Sequence, residues 1–186
     1  MTAETAKLLD CPAEDVVVCS TGIIGHFLPR EPLASGIPAA VEKLGDSPES
    51  FENAARAMMT TDTFAKQAVR EVKLNGKPVR VSAAAKGAAM IGPNMATMLG
   101  IIMTDAELTP DETDALLRHA VDRSFNCISV EGHTSTSDTV FLFANGAAGN
   151  GSLDDAARLT LQTAIDDVAA ELAQAIIRDA EGADHF

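Results

Sequence analysis

A threonine stands where a loop-like segment meets an apolar run, and its position suggests nucleophilic chemistry. Residues 86–96 (KGAAMIGPNMA) have no pattern typical of a helix or a strand, and Thr97 opens the apolar run 97–103. A threonine hydroxyl is a weak nucleophile unless a base lies beside it. A cut between Ala96 and Thr97 would create an α-amine with a pKa of about 7.7–8.0, which can take the hydroxyl proton. The small Ala96 leaves room for the hydroxyl to attack the preceding carbonyl. The same local pattern also fits a purely structural threonine at the start of a strand.

Composition excludes several other kinds of chemistry. The net charge of -13 makes binding of a phosphate backbone unfavourable, so we expect no nucleic-acid partner. The three cysteines have no CxxC spacing and the four histidines are scattered, so we expect no metal site and reduced thiols in a cytoplasmic protein. We expect neither a signal peptide nor a membrane helix, because no basic region followed by an apolar stretch occurs in residues 1–9 and no apolar run approaches the roughly 20 residues that a membrane helix needs.

Local patterns predict alternating helices and strands, and hence an α/β (α+β) fold with a mixed sheet flanked by helices. Asn75-Gly76 predicts a hairpin, the Thr109–Glu112 spacing a capping box, and Ser47-Pro48 a helix start. The predicted strands are 16–20, 66–74, 77–84, 97–103, 126–130 and 139–144, and the predicted helices begin near residues 1, 48, 110 and 153. Residues 22–36 are predicted to form a loop and 145–151 a glycine-rich turn. Cys19 is predicted to pack inside the first strand.

Five segments resemble, in order, the ornithine acetyltransferase family, the self-processing glutamate N-acetyltransferases of arginine biosynthesis. They are residues 20–25 (STGIIG), 59–64 (MTTDTF), 86–99 (KGAAMIGPNMATML), 135–140 (STSDTV) and 178–183 (RDAEGA). The resemblance covers essentially the whole chain. It implies a terminal-threonine-nucleophile fold and cleavage between Ala96 and Thr97. Residues 1–96 would then form part of an α chain and residues 97–186 part of a β chain.

The resemblance also implies roles for individual residues. Thr97 matches the nucleophile, and Thr21 and Gly22 match the oxyanion hole, where a hydroxyl and a backbone N–H stabilise the developing negative charge. The substrate-binding positions of the family are matched by Thr60, Lys86, Thr97 and Glu181. A lysine can pair with the α-carboxylate of an amino acid and a glutamate with an amino group.

The activity that the resemblance implies is ping-pong transfer of acetyl from N-acetylornithine to glutamate, releasing ornithine, through an acetyl-threonine intermediate. No cofactor is implied, although acetyl-coenzyme A is a possible acetyl donor. Family members form tetramers of two α and two β chains. Because they are longer at both ends, we expect this chain to be the central part of such an enzyme.

Two other interpretations remain open from the sequence. A self-cleaving aminopeptidase of related fold would use the same terminal-nucleophile chemistry, but usually with serine at the cut. A truncated, non-catalytic fragment would neither cut itself nor transfer acetyl groups. Thr97 and the block that begins at Lys86 favour the acetyltransferase.

Overall fold

The structure is a computed structural model that describes residues 1–22, 25–88, 98–130, 132 and 135–180. Its helices and strands are α1 (Thr2–Leu9), α2 (Arg30–Val41), α3 (Pro48–Met58), β1 (Lys66–Leu74), β2 (Lys77–Lys86), β3 (Leu99–Thr104), α4 (Pro110–Asp122), β4 (Thr139–Ala144) and α5 (Asp155–Arg178). Contacts within the chain divide it into two compact units, Met1–Ala54 and Ala55–Phe186. None of the described helices combines the length and the apolar character needed to cross a membrane.

In the first unit, helix α2 occupies much of the segment that the sequence predicted to be a loop. It contains Pro38, and its residues are half-buried or exposed. Glycine and proline inside a helix lower its intrinsic propensity, which is why the pattern of residues 22–36 favoured a loop. The prediction was wrong because α2 packs against α1, and tertiary contacts of this kind override a weak local preference.

The predicted strand 16–20 is also absent, so the placement of Cys19 in a strand was wrong. These residues belong to no helix or strand; Val17 and Val18 are 49% and 42% exposed, and Cys19 is half-buried. A β-branched run becomes a strand only when a neighbouring strand pairs with its N–H and C=O groups. The described residues of the first unit include no such partner.

The second unit is built on a four-stranded mixed sheet with the order β1-β2-β3-β4. β1, β2 and β3 pair antiparallel, while β3 and β4 pair in parallel. At the β1–β2 hairpin, Asn75 and Gly76 have φ values of 51° and 79°, as expected for a two-residue turn whose central residues both have positive φ. The predicted hairpin, the mixed sheet and the central position of β3 are confirmed.

The core of this unit lies between the sheet and helices α4 and α5. Five α5 residues spaced three or four apart are fully buried, as predicted: Leu161, Ile165, Val168, Leu172 and Ile176. α5 packs against β1 and β2, and α4 packs against β4 and α5. The predicted capping box begins α4, where the Thr109 side chain accepts the N–H of Glu112 and the Glu112 carboxylate accepts the N–H of Thr109.

The predicted strand 126–130 is wrong, because the chain turns back on α4 instead of extending. Phe125–Cys127 form a short 3₁₀ turn. The Ser124 hydroxyl donates to the Ala120 carbonyl at 2.6 Å, and the Asn126 amide donates to Asp122 Oδ1 at 2.9 Å. Phe125 is buried in the core. These local hydrogen bonds compete with strand pairing, and the burial of Phe125 favours the turn.

One end of the sheet carries Lys86, a predicted substrate-binding residue. β1 begins at Lys66, which pairs with Ala85, while Lys86 ends β2 and pairs with Leu99, the first residue of β3. Leu99 pairs in turn with Thr139, which begins β4. Hydrogen bonding between the strands therefore brings distant parts of the sequence to one edge, which is called the site end of the sheet below.

Candidate active site

The structure brings two of the predicted substrate-binding residues into direct contact. The Lys86 ammonium donates a hydrogen bond to the Thr60 hydroxyl, with Nζ and Oγ1 3.1 Å apart. Lys86 had been expected to lie in an irregular loop, but it is the last residue of β2 and only 3% exposed. Its place in the strand orients the side chain, because Ala83 and Ala85 belong to the core beneath the sheet and successive side chains alternate between faces. Lys86 therefore lies on the face opposite α5.

Burial changes the acid–base behaviour of Lys86. Loss of solvent lowers the pKa of the Lys86 ammonium, and the positive charge of Lys66 lowers it further, while the carboxylates of Asp62 and Asp138 oppose this change. Among the described residues, the Lys86 ammonium has one hydrogen-bond partner, the Thr60 hydroxyl, whereas an ammonium carries three donors. Such a group is suited to binding a carboxylate.

The Asp62 carboxylate holds the backbone on both sides of the Lys86–Thr60 pair. Its Oδ1 accepts the N–H of Gly87 at 2.7 Å, and its Oδ2 accepts the N–H of Thr60 at 3.1 Å. Burial raises the pKa of the Asp62 carboxyl, but the Gly87 amide, the Lys66 ammonium and the Thr60 amide outweigh it and hold the pKa below its ordinary value. Asp62 therefore stays charged and fixes the two chain segments that carry Thr60 and Lys86.

Lys66 is fully buried between two carboxylates. Its Nζ lies 2.7 Å from Asp62 Oδ1 and 2.5 Å from Asp179 Oδ2, and the Lys66 side chain has no exposed surface. The same ammonium lies 4.8 Å from the centre of the Phe64 ring, within the range of a cation–π contact. A buried charge is tolerated only when it is paired and hydrogen-bonded, and Lys66 meets both conditions.

Asp179 connects the end of α5 to this cluster. It follows the last helical residue, where the helix dipole disfavours a negative charge. The Lys66 ammonium, the Thr63 hydroxyl and the Thr63 N–H all donate to its carboxylate, the last at 2.9 Å. Burial raises the pKa of the Asp179 carboxyl, but these donors outweigh burial and lower it. The cluster of Asp62, Lys66 and Asp179 therefore ties α5 to the site end of the sheet.

Asp138 holds the start of β3. Its Oδ1 accepts the N–H of Met98 at 2.6 Å, and the N–H of Thr139 donates to the Met98 carbonyl at 3.0 Å. Met98 is the residue covalently bonded to Thr97. A carboxylate and a backbone pair from β4 therefore anchor the chain immediately after the predicted nucleophile.

The remaining predicted site residues are not joined to this arrangement by described contacts. Thr21, half-buried, and Gly22, exposed, lie in the first unit. Ala96, Thr97 and Glu181 lie outside the described residues. Within the ranges that the structure describes, no three His, Cys, Asp or Glu side chains are grouped so that they could hold a metal ion.

Sequence reasoning gave no role to the four charged residues that hold the site end together, Asp62, Lys66, Asp138 and Asp179. The three aspartates lie inside segments that carry the family resemblance, 59–64, 135–140 and 178–183, and Lys66 follows the first of these segments by two residues. That clustering was an available signal. The pairing itself was not, because Lys66 and Asp179 meet only through the packing of α5 on β1.

The site end of this α/β sheet carries a buried ammonium group, a hydroxyl and fixed carboxylates. An arrangement of this kind is suited to binding a small charged ligand. The model of the ArgJ family matches residues 1–186, so the chain belongs to the ArgJ family.

Relatives in that family are similar to this chain over nearly its whole length. The arginine biosynthesis bifunctional protein ArgJ of Gluconobacter oxydans is 47% identical over 184 residues, covering 96% of this chain and 42% of the relative. The mitochondrial protein of the same name from Heterostelium pallidum is 48% identical over 189 residues, covering 100% of this chain and 43% of the relative. The chain thus spans less than half the length of these relatives.

A solved structure shows a more distant likeness. The L-aminopeptidase D-Ala-esterase/amidase of Ochrobactrum anthropi, described as a variant of the Ntn hydrolase fold, is 16% identical with a TM-score of 0.45. The match covers 69% of this chain and 45% of that one.

Proposed function

We propose that this chain is the central part of a cytoplasmic enzyme of arginine biosynthesis that transfers acetyl from N-acetylornithine to glutamate. The observation that carries the proposal is the buried Lys86 ammonium beside the Thr60 hydroxyl. The two residues lie at the sheet end where β3 begins, two residues after Thr97. A buried cation at this place can bind the α-carboxylate of an amino acid close to the predicted nucleophile.

The proposed reaction proceeds in two half-reactions. The Thr97 hydroxyl attacks the acetyl carbonyl of N-acetylornithine, and its proton passes to the Thr97 α-amine that cleavage has freed. Thr21 and Gly22 stabilise the oxyanion, and ornithine leaves with the proton from the α-amine. The amino group of glutamate then attacks the acetyl-threonine ester, which releases N-acetylglutamate and restores the hydroxyl.

Substrate binding divides between charges of opposite sign. Lys86 pairs with the substrate α-carboxylate, Thr60 holds the Lys86 ammonium in place, and Glu181 binds an amino group. No cofactor takes part, and acetyl-coenzyme A is a second acetyl donor to be tested. The proposed assembly is the tetramer of two α and two β chains, formed after the cut between Ala96 and Thr97.

Intact mass under denaturing conditions tests the central step. The parent chain should give two fragments that divide between Ala96 and Thr97, whereas Thr97→Ala should stay whole because it lacks the hydroxyl. Thr160→Ala, an exposed threonine on α5, is the matched control and should cut like the parent. The cut protein should then exchange acetyl between N-acetylornithine and glutamate.

Each alternative has its own outcome in this experiment. A parent chain that remains whole contradicts the proposal and supports the non-catalytic fragment. A cut chain that hydrolyses amino-terminal peptide bonds but moves no acetyl group supports the self-cleaving aminopeptidase.

A further inference from the structure

The contact between the two proposed substrate-binding residues, Thr60 and Lys86, depends on how the chain around it is held. Thr60 belongs to no helix or strand, and Lys86 is the last residue of β2. A lysine carries its ammonium on a flexible four-carbon stem, so the 3.1 Å hydrogen bond to the Thr60 hydroxyl needs a fixed backbone on either side. This inference rests on the proposed function, since it concerns how that site is kept ready for a substrate carboxylate.

Asp62 bonds to the chain on both sides of this contact. Its Oδ2 accepts the N–H of Thr60 itself at 3.1 Å, and its Oδ1 accepts the N–H of Gly87, the residue after Lys86, at 2.7 Å. The Asp62 side chain has no exposed surface, so these hydrogen bonds lie in a low-dielectric environment that strengthens them. One carboxylate therefore fixes the segment that bears the hydroxyl and the segment that bears the ammonium.

The charge of Asp62 also acts on the Lys86 ammonium. Burial lowers the pKa of Lys86 and thus favours the neutral amine. Among the described residues, the carboxylates of Asp62 and Asp138 favour the protonated form and the Lys66 ammonium disfavours it, with Asp62 the stronger of the two carboxylates. Only the protonated form can make a charge-assisted hydrogen bond to a carboxylate, so the site depends on groups that oppose the effect of burial.

The charge of Asp62 is itself maintained by its donors. Burial raises the pKa of the Asp62 carboxyl, but the Gly87 amide, the Lys66 ammonium and the Thr60 amide outweigh it and lower the pKa. The Lys66 ammonium is shared with Asp179, at 2.5 Å from Oδ2. Loss of the Asp62 charge alone would therefore still leave Lys66 one carboxylate partner.

We propose that Asp62 is a positioning residue of the substrate site, which holds the Lys86 ammonium against the Thr60 hydroxyl and keeps it charged for the substrate α-carboxylate. Asp62 acts through Lys86 and Thr60 and makes no contact with substrate. Without its carboxylate, the Thr60 N–H loses its acceptor and the Lys86 ammonium loses a favourable charge. Substrate would then bind less tightly in the ground state and the transition state alike, so the KM rises while kcat changes less.

The first test measures the KM for N-acetylornithine in Asp62→Asn. Asparagine keeps the size of the side chain and an oxygen that can accept the Gly87 N–H, but its NH₂ group cannot accept from Thr60, and the charge is lost. The KM should rise about 2- to 150-fold, the range of coupling within one hydrogen-bond network. Asp105→Asn is the matched control and should keep the parent KM, because Asp105 Oδ1 accepts a backbone N–H of the same strand, from Arg80 at 2.8 Å.

A double-mutant cycle with Lys86→Gln shows whether Asp62 acts through Lys86. In the Lys86→Gln background there is no ammonium to hold or to keep charged. Adding Asp62→Asn should therefore raise the KM less than it does in the parent. An equal rise in both backgrounds overturns the proposal, because Asp62 would then act independently of Lys86.

The charge state of Lys86 separates this role from a merely structural one. Nuclear magnetic resonance of the chain with isotope-labelled lysine side chains follows the titration, and Lys86→Gln identifies the Lys86 signal. The pKa of Lys86 should be lower in Asp62→Asn than in the parent, because a favourable negative charge is lost, and unchanged in Asp105→Asn. The increase in KM that follows deprotonation of Lys86 in alkali should begin at a lower pH in Asp62→Asn. The substrate δ-amine titrates alike in both proteins, so this displacement reports on Lys86.

The outcomes keep this inference distinct from the proposed function. A folded Asp62→Asn with the KM and the Lys86 pKa of the parent overturns the role of Asp62. If circular dichroism shows that Asp62→Asn is unfolded, the parent titration decides: a Lys86 amine that is neutral at neutral pH overturns the proposal, and a protonated one supports it. A parent that exchanges no acetyl contradicts the proposed function alone, while a lowered Lys86 pKa in Asp62→Asn still supports the action of Asp62 on Lys86.

Discussion

The Lys66 ammonium is paired with two buried carboxylates, so its removal should destabilise the folded chain severely. In Lys66→Met the long apolar stem is retained, which leaves little new cavity, while the positive charge is lost. The Asp62 carboxylate would still accept hydrogen bonds from the N–H groups of Thr60 and Gly87. The Asp179 carboxylate would still accept them from the N–H and the hydroxyl of Thr63. The variant thus isolates the effect of the charge.

The expected magnitude follows from the burial of the three groups. The Lys66 and Asp62 side chains have no exposed surface and Asp179 is 2% exposed, so water cannot replace the lost partner. Removing one member of a buried ion pair costs about 3–5 kcal/mol, because the other charge remains buried without compensation. That is a large part of the roughly 5–15 kcal/mol that stabilises a typical domain.

Acidification should reduce the loss of unfolding free energy that Lys66→Met causes. The folded-state pKa values of Asp62 and Asp179 are lowered, so their contribution to stability is present above the unfolded pKa of about 3.9. This contribution to stability is lost as the pH falls through the lowered pKa values of the folded state. In Lys66→Met both carboxyls lose a favourable charge and protonate at higher pH. The two proteins should therefore differ most near neutral pH and less in acid.

Urea unfolding followed by circular dichroism measures the free energy of unfolding at about pH 7 and about pH 4. Arg70→Met is the matched control on the same strand, because Arg70 pairs with Glu171 at 2.7 Å with side chains 37% and 47% exposed. Exposed pairs contribute about 0–1 kcal/mol. The reasoning is refuted if Lys66→Met costs no more than Arg70→Met at neutral pH, or if its cost does not diminish in acid.

Two further variants probe the substrate site and a helix start. In an acetyl-exchange assay, Lys86→Gln should raise the KM for the acetyl-accepting amino acid about 10- to 100-fold, the equivalent of a charged hydrogen bond. Lys77→Gln, at an exposed position on the same strand, is the control and should leave this KM unchanged. A KM of Lys86→Gln equal to that of the parent would contradict carboxylate binding by Lys86. Thr109→Ala should lower the free energy of unfolding by about 0.5–2 kcal/mol in urea, because the capping box of α4 is lost. An unchanged midpoint would show that the cap contributes nothing.

Signals contained in a few neighbouring residues predicted structure correctly. Asn75-Gly76 predicted the hairpin, because a turn with positive φ at both positions favours these residues. Ser47 was predicted to cap α3, and its Oγ accepts the N–H of Ser50 at 3.1 Å. The apolar stripe of α5 was predicted from its spacing. In each case a local preference and the tertiary environment favour the same conformation.

Predictions failed where the conformation depends on distant partners. Residues 16–20 have strand-forming side chains, but the described residues of the first unit include no strand to pair with them. Residues 126–130 have the side-chain pattern of a strand. In the structure, the burial of Phe125 and the hydrogen bond from the Ser124 hydroxyl to the Ala120 carbonyl of α4 favour a turn instead. α2 forms despite Gly36 and Pro38, because its packing against α1 outweighs their low helix propensity.

The sequence by itself determined the family resemblance, the α/β class and the identities of Thr60 and Lys86 as candidate substrate-binding residues. It could not determine that Lys86 is buried, or that Lys66 lies between two carboxylates, one of them 113 residues away along the chain. Only the tertiary structure decided those features. The physical reason is that the charge state and basicity of a side chain depend on its desolvation and on its neighbours in space. Strand register and helix packing set both, and no local pattern encodes them.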